Sequence, residues 1–406
     1  MFMKRNRCLR RILTSLLAIL LAMLCVIPAT AEDGVVPILE EGEQGVSDLG
    51  VEAGSLQLPC RSAILMEATT GAIIYQQNDT EALPPASVTK IMTLLLVMEA
   101  IDAGTVRLDD TVAVSANAAS MGGSQVFLKE GERMKVEDLL KSVVIASAND
   151  AAVALAEHIS GSVPTFVDRM NRRAEELGMK DTRFENVTGL DDTAEHHLTS
   201  ARDIAIMSRE LIKHKTILQY SSIWMDSIRD GAFGLTNTNR LVRFYPGCTG
   251  LKTGSTSKAG FCVSVTAERD GFSLICVIMG AESRDVRNAT ATQLLDWGFA
   301  NYGLYCAEKT VLDPIPVTGG SVRAAEASYG AFSCVLPKGE LASVKSDVTL
   351  PETLTAPVKM GDEIGEVRFS VGEKTVGSVP VVCDSDISKI GFFEVLARIF
   401  ARFLLI

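Results

Sequence analysis

The stretch "PPASVTK", residues 84–90, places a serine and a lysine three residues apart, directly before the apolar run "IMTLLLVMEA". Two prolines suit an extended approach and the first turn of a helix, which the apolar run then continues. Because residues i and i+3 share a helical face, the Ser87 hydroxyl and the Lys90 amine are expected to be neighbours. Such a pair can form an activated serine without histidine. A capping serine followed by a solvated lysine fits the same pattern, so this motif alone leaves both interpretations open.

Two further short motifs follow along the chain. "SAND" places Ser147 and Asn149 at a break between two stretches with helical apolar spacing, and "GLKTGST" places Lys252 and Thr253 ahead of a predicted hairpin. Each motif is weak by itself. S-x-x-K, S-x-N and K-T-G in this order and at these intervals together form a specific signal for serine chemistry.

The sequence pattern predicts the elements that must position these motifs. Two short strands are predicted around a Thr-Thr-Gly turn in "RSAILMEATTGAIIYQQN", and two apolar strands around an Asp-Gly turn in "AGFCVSVTAERDGFSLICVIMGAE". Between them, apolar spacing predicts helices, including "VPTFVDRMNRRAEELGM" and "TSARDIAIMSRELIKH". Strands that open a region, helices that fill it and a hairpin that closes it predict an α/β domain with an antiparallel sheet over residues 58–304.

The pattern changes near residue 305. Frequent Gly and Pro and short β-branched runs predict a small all-β domain over residues 305–384. In residues 385–406, apolar residues recur at spacings of three and four, with Lys389, Arg398 and Arg402 among them. This segment is short and charged for a membrane span, and it predicts an amphipathic helix lying in the membrane interface. A helix docked on the protein itself is the alternative.

The N-terminus predicts export. Residues 1–31 combine a basic start, an apolar stretch and the small residues "ATA", the pattern of a signal peptide cleaved after Ala31. An uncleaved membrane anchor is the alternative. Residues 32–57 are acidic and aperiodic, which predicts a loose leader. We therefore expect an exported protein, peripheral at the outer face of the cytoplasmic membrane.

The composition excludes several classes of function. With 406 residues, of which 47% are hydrophobic and 22% charged, the chain is long enough for two globular domains. Its formal net charge of −11 disfavours nucleic-acid binding. The cysteines after Ala31 are odd in number and form no C-x-x-C pair, and the histidines have no metal-ligand spacing. We therefore expect no metal, no cofactor and no nucleic-acid partner.

The three motifs together resemble those of the penicillin-binding proteins and serine β-lactamases. Longer stretches, such as "GAIIYQQNDTEALPPASVTKIMT" and "NRLVRFYPGCTGLKTGSTSKAGFCVSVTAERDG", are similar to the low-molecular-weight D-alanyl-D-alanine carboxypeptidases from about residue 55 to 300. The resemblance implies a serine β-lactamase/transpeptidase-like α/β domain, in which helices pack on an antiparallel sheet beside a helical subdomain. A small all-β domain and a C-terminal amphipathic helix follow. Thr249 departs from the family, which more usually has Asp before "GLKTG".

This resemblance implies how the catalytic residues work. Ser87 would attack the carbonyl of the penultimate D-alanine, with Lys90 as the candidate base. An ammonium cannot accept a proton, so burial and the nearby charge of Lys252 would have to lower the pKa of Lys90. Ser147 would relay a proton to the leaving D-alanine, and Asn149 would hold Lys90 and the substrate amide. Whether Lys90 acts directly or through Ser147 stays open.

The K-T-G motif is implied to bind the substrate. Lys252 and Thr253 would hold its terminal carboxylate, with help from Ser255. Gly254 has no side chain, so an edge strand can approach the substrate backbone closely. The backbone N–H groups of Ser87 and Ser255 would form an oxyanion hole. The loop "GGSQ", from residue 122 to 125, is implied to lie over the site, with a plain turn as the alternative.

These observations predict a serine carboxypeptidase that acts on peptidoglycan stem peptides and is acylated by β-lactam antibiotics. A class A-like β-lactamase is one alternative, because Glu185 follows Ser147 at about the interval at which such enzymes keep a deacylating glutamate. A catalytically silent penicillin-sensing or wall-binding module is another. Hydrolysis of a D-alanyl-D-alanine peptide would distinguish both from the main hypothesis.

Overall fold

The computed structural model describes residues 56–190 and 194–404. The predicted signal segment, residues 1–31, and the leader up to residue 55 lie outside the described residues. Helices occupy α1 (Lys90–Asp102), α2 (Ala116–Ala119), α3 (Val136–Ile145), α4 (Asn149–Ser160), α5 (Val163–Glu176), α6 (Ala201–Lys213), α7 (Lys215–Ser221), α8 (Leu241–Phe244), α9 (Arg284–Asn301) and α10 (Phe392–Leu404), and 3₁₀ helices occupy Ala86–Thr89 and Lys338–Ser343.

The strands fall into a group before α9 and a group after it. They occupy β1 (Ser62–Glu67), β2 (Ile73–Gln77), β3 (Thr111–Ala113), β4 (Arg133–Lys135), β5 (Met225–Ile228), β6 (Phe233–Thr236), β7 (Cys248–Thr256), β8 (Gly260–Arg269), β9 (Phe272–Ala281), β10 (Tyr302–Ala307), β11 (Thr310–Val311), β12 (Ile315–Thr318), β13 (Ala324–Ala325), β14 (Ala327–Tyr329), β15 (Phe332–Pro337), β16 (Val344–Thr349), β17 (Leu354–Thr355), β18 (Glu363–Val371) and β19 (Lys374–Cys383).

A five-stranded sheet with the order β2-β1-β9-β8-β7 forms the base of the first domain. Each neighbouring pair is antiparallel, as the sequence predicts. Successive residues of β9 alternate between two apolar clusters: Ile275 packs in the cluster that contains Leu95 of α1, and Cys276 in the cluster that contains Leu294 of α9. Because helices cover both faces of the sheet, the middle residues of its central strands are buried on both faces.

The helical part of this domain surrounds α1, whose residues from Lys90 to Met98 are all buried. This helix packs against α4, α6 and α3 as well as on the sheet. The helical pattern around "SAN" resolves into α3 and α4, with the break at residues 146–148. Ser147 in this break has φ of 62°. The central helix and the α3–α4 break carry two of the three motifs to one place.

The second domain is all-β, as predicted. One sheet has the order β11-β14-β19-β18-β16, a smaller one has the order β13-β12-β17, and β10 pairs with β15. The rings of Phe332 and Phe369 stack in its core, 4.2 Å apart between centroids. The predicted boundary between residues 304 and 305 lies within β10, which continues directly from α9.

Helix α10 forms the amphipathic element predicted at the C-terminus. The side chains of Phe392, Phe393 and Phe403 are exposed. Arg398 donates a hydrogen bond to the backbone carbonyl of Ser321, which ties the helix to the β domain. Among the described residues, no helix combines the length and apolar character needed to cross a bilayer.

Candidate active site

The S-x-x-K motif brings its two side chains together, as the i, i+3 spacing predicts. Ser87 lies on the 3₁₀ turn, and Lys90 is the first residue of α1. The Nζ atom of Lys90 donates to Ser87 Oγ at 3.0 Å and to the carbonyl of Thr188 at 2.8 Å. The α-helix itself begins only at Lys90, because its entry turn is tightened to 3₁₀ geometry. Ser87 therefore lies on the 3₁₀ turn that leads into α1 and not in the α-helix itself.

Burial perturbs the amine of Lys90. The side chain is fully buried. Loss of solvation lowers its pKa well below the ordinary value, the positive charge of Lys252 lowers it further, and the carboxylate of Asp150 opposes these effects. A lysine whose neutral form is favoured in this way can accept the proton of a serine hydroxyl.

The K-T-G motif lies on β7, at the edge of the sheet. Lys252 is buried, and its Nζ donates to the carbonyl of Thr253 at 3.1 Å. Burial and the charge of Arg287 lower the pKa of Lys252 to about 7. Thr253 Oγ1 donates to Thr238 Oγ1 at 2.8 Å. The positive charges of Lys252 and Arg287, together with the Thr253 hydroxyl, are suited to bind an anionic group.

Gly254 of β7 lies against the turn that carries Ser87. A Cβ atom at this position would lie 2.7 Å from the backbone nitrogen of Ser87 and 2.9 Å from that of Val88. Real side chains do not tolerate such distances, so only glycine allows this contact. Ser255, the next residue on the strand, is exposed. The S-x-x-K turn and the K-T-G strand thus pack against each other.

The S-x-N motif lies at the start of α4, which packs against α1. Ser147 is almost fully buried, and Asn149 begins α4. The Nδ2 atom of Asn149 donates to the carbonyl of Gly122 at 2.7 Å, whereas its buried Oδ1 has no hydrogen-bond partner among the described residues. We predicted that Asn149 would hold Lys90 and a substrate amide. The structure commits its N–H₂ group to the 122–125 loop and leaves its carbonyl able to accept an N–H.

A hydrogen-bonded chain supports the nucleophile from behind. The N–H of Glu185 donates to His197 Nδ1 at 2.9 Å, so the ring proton lies on Nε2, 2.7 Å from Thr89 Oγ1. Thr89 Oγ1 in turn donates to the carbonyl of Ala86 at 2.8 Å. Gly189 lies against the same carbonyl: a Cβ atom at this position would lie 1.8 Å from the carbonyl oxygen of Ala86. These contacts fix the turn that carries Ser87.

Several residues of this site were not predicted from the sequence. Thr188, Thr238, Arg287 and His197 contact motif residues, or act on their charge, from distant segments. Asp150 directly follows Asn149, so its place in "SAND" was the available signal. The others carry no local signal, because only the tertiary fold brings them to the site.

Glu185 was the feature that favoured the β-lactamase alternative. Its carboxylate accepts the backbone N–H of His196 at 3.2 Å. The carboxylate whose charge reaches Lys90 is that of Asp150. Among the described residues, the Glu185 carboxylate therefore makes a structural hydrogen bond, to the backbone of His196.

Comparison with known proteins identifies the family. The profile of the D-alanyl-D-alanine carboxypeptidase family matches residues 50–283, more than half of the chain. The chain belongs to the D-alanyl-D-alanine carboxypeptidase family. The profile of the C-terminal domain of penicillin-binding protein 5 matches residues 306–389. Both domains of this carboxypeptidase-family chain are thus matched.

Individual relatives cover most of the chain. It is 42% identical over 357 residues to the D-alanyl-D-alanine carboxypeptidase DacF of Bacillus subtilis, which covers 86% of this chain and 91% of the relative. The fold is similar to that of penicillin-binding protein 5 from Haemophilus influenzae, with a TM-score of 0.75, 30% identity, and coverage of 85% of this chain and 100% of that one. Penicillin-binding protein D2 of Listeria monocytogenes in its ampicillin-bound form has a TM-score of 0.56 and 31% identity, covering 60% of this chain and 99% of that one.

Proposed function

We propose that this chain removes the terminal D-alanine from peptidoglycan stem peptides through an acyl-enzyme on Ser87, and that β-lactams acylate the same residue. The observation that carries the proposal is the 3.0 Å contact between Ser87 Oγ and the buried amine of Lys90, facing an edge strand that carries Lys252. The names of the matched relatives support the same substrate class.

Acylation begins when Lys90, in its neutral form, takes the proton of Ser87 as Oγ attacks the carbonyl of the penultimate D-alanine. The negative charge that develops on the carbonyl oxygen is stabilised by the backbone N–H groups of Ser87 and Ser255. The close approach of Gly254 to Ser87 supports this arrangement, because it places the two backbones side by side. Donors of this kind each contribute roughly 3 kcal/mol to catalysis.

Recognition of the terminal carboxylate falls to Lys252 and Thr253, with help from Ser255. The pKa of Lys252 is about 7 in the free enzyme because it is buried beside Arg287. A bound carboxylate would favour the charged form of Lys252. The substrate carboxylate would therefore form an ion pair with the charged form of Lys252.

Departure of the terminal D-alanine requires a proton on its nitrogen. Ser147 is buried in the α3–α4 break and is assigned the relay from Lys90 to this nitrogen. Asn149 is assigned to hold the substrate amide, and its buried Oδ1 has no hydrogen-bond partner among the described residues. Water then attacks the acyl-enzyme with Lys90 as the base, and the shortened peptide leaves.

Release of D-alanine from a diacetyl-Lys-D-Ala-D-Ala peptide tests this proposal, with Ser87→Ala as the matched control. We expect the wild-type protein to release one D-alanine for each peptide hydrolysed, and the variant to release none. Rapid turnover of a penicillin with no peptide hydrolysis would favour the β-lactamase alternative. A folded protein that processes neither compound would favour the silent module.

We further propose that the mature chain is exported and is held at the membrane surface by α10. The support is the exposed apolar face of this helix, where Phe393 is 83% exposed. Burying five or six large apolar side chains contributes roughly 1.5 to 3 kcal/mol each. Lys389 and Arg398 add attraction to anionic lipid.

Vesicle co-sedimentation tests this location. The mature chain is compared with a chain that lacks residues 386–406, on vesicles that contain anionic phospholipid. We expect the truncated chain to stay in the supernatant and to retain its activity on a soluble peptide. A truncated chain that still pellets places the anchor elsewhere, and one that loses activity makes the tail a structural element.

A further inference from the structure

Asp150 is a buried carboxylate that the mechanism above does not use. It directly follows Asn149 in α4 and is 1% exposed. Its oxygens accept the backbone N–H groups of Val126 at 3.1 Å, Leu128 at 3.0 Å and Ala151 at 2.9 Å. Two of these donors belong to the loop that begins with "GGSQ". The carboxylate thus ties this loop to the S-x-N motif.

The loop adopts an unusual conformation at this contact. Phe127, between the two donors, has φ of 56° and a side chain that is 67% exposed. A bulky residue is rarely left-handed, but a change of backbone hand at one residue turns the flanking N–H groups toward one anion. Arg229 donates to the carbonyls of Val126 at 3.0 Å and Phe127 at 3.4 Å. The strained backbone is therefore shaped to bind the carboxylate of Asp150.

The other end of the same loop binds Asn149. The backbone N–H of Asn149 donates to the carbonyl of Ser124, and its Nδ2 donates to that of Gly122, both at 2.7 Å. A Cβ on Gly123 would lie 2.7 Å from Nδ2. Adjacent residues at the start of α4 thus hold both ends of the 122–128 loop. In return, the loop fixes the orientation of the Asn149 amide.

We propose that Asp150 is a positioning residue for acylation, which locks the 122–128 loop against Asn149. The inference rests on the proposed function, since it assigns a role in the acylation of Ser87. Asp150 reaches the substrate only through Asn149 and the loop, and it influences the base only through its charge.

The charge of Asp150 acts on Lys90 together with groups from each neighbouring element. Lys90 contacts Ser87 of the 3₁₀ turn and the carbonyl of Thr188, and the charges of Lys252 on β7 and Asp150 on α4 act on it. Burial and Lys252 lower the pKa of Lys90, and Asp150 raises it. Removing the carboxylate therefore makes Lys90 easier to deprotonate. The acid limb of the acylation rate should then move to lower pH.

The test compares Asp150→Asn, Asp150→Glu and a control, Glu157→Gln. Glu157 lies on the same helix, and its carboxylate accepts hydrogen bonds from Ser115 and Asn117, which lie outside the active site. Pre-steady-state acylation by a penicillin is measured across pH, and hydrogen exchange of the 122–128 peptide is followed by mass spectrometry. The exchange readout needs no catalysis.

Asp150→Asn is expected to acylate about a hundredfold more slowly, as a small misplacement of reacting groups does. Its acid limb should move to lower pH, and its loop should exchange faster. Asp150→Glu keeps the charge but displaces the loop, so it should be slow with the wild-type acid limb. Glu157→Gln should match the wild type in acylation rate, acid limb and loop exchange.

Three results would overturn the inference. They are wild-type acylation by Asp150→Asn, slow acylation by that variant with an unmoved acid limb, and unchanged exchange of the loop. If Asp150→Asn does not fold, Asp150→Glu decides, and wild-type acylation by it contradicts the inference. Failure of the wild-type protein to form a penicillin adduct contradicts the proposed function instead, and the exchange comparison still tests the loop.

Discussion

Replacing Lys252 by methionine is expected to stabilise the fold while it removes substrate recognition. Lys252 is buried, and its pKa falls from the ordinary 10.5 to about 7 through burial and the charge of Arg287. Methionine has a similar length and carries no charge. The substitution therefore removes a buried cation without creating a large cavity.

The magnitude follows from proton linkage. A lysine whose pKa is lower in the folded than in the unfolded state destabilises the folded state at every pH below the unfolded-state pKa. The reason is that the unfolded chain binds the proton more readily. For Lys252 this cost is about 5 kcal/mol at pH 6 and about 2 kcal/mol at pH 9. Lys252→Met should therefore raise the free energy of unfolding by about 3 kcal/mol more at pH 6 than at pH 9.

Urea unfolding of the protein at the two pH values measures this difference. Lys129→Met is the control, because Lys129 is exposed and belongs to none of the three motifs. The control should change little at either pH, and Lys252→Met should also lose hydrolysis of the D-alanyl-D-alanine peptide. A gain in stability that is equal at both pH values, or a loss at pH 6, would refute the cost assigned to burying this charge.

Three further outcomes are expected. Gly254→Ala should slow penicillin acylation by about a hundredfold, because its Cβ would lie 2.7 Å from the nitrogen of Ser87; stopped-flow acylation at the wild-type rate would contradict the close approach. The KM for the peptide should rise as pH increases through about 7, because Lys252 loses its charge, and steady-state kinetics from pH 6 to 9 would reveal a flat profile if this is wrong. Lys90→Ala should abolish acylation, since no other amine contacts Ser87 Oγ among the described residues; a near-wild-type pre-steady-state rate would refute Lys90 as the base.

Local patterns predicted the parts of the fold that depend on neighbours in the sequence. The Asp-Gly turn at residues 270–271 joins β8 and β9, and both residues have positive φ, as a tight hairpin requires. Helix α6 lies within the predicted stretch "TSARDIAIMSRELIKH", and Ser200 at its start accepts the N–H of Asp203. The contact between Ser87 and Lys90 agrees with the i, i+3 spacing, which alone also fitted a capping serine and a solvated lysine.

The rest of the site depends on contacts between distant segments. Arg287 reaches Lys252 from α9, and Thr188 accepts from Lys90 across a long loop connection. No periodicity in the sequence encodes these distances, because the packing of the sheet and its helices sets them. The pair of loop N–H groups that binds Asp150, from Val126 and Leu128, was missed for a different reason. A phenylalanine with positive φ runs against local preference and is stable only when its surroundings impose it.

The most direct test of the central claim is the position of the covalent bond. The protein is incubated with a penicillin, digested with trypsin and mapped by mass spectrometry, with Ser87→Ala as the control. We predict one adduct, on the tryptic peptide that contains Ser87, and none on the variant. An adduct on Ser147, or no adduct on folded wild-type protein, would contradict the assignment of Ser87 as the nucleophile.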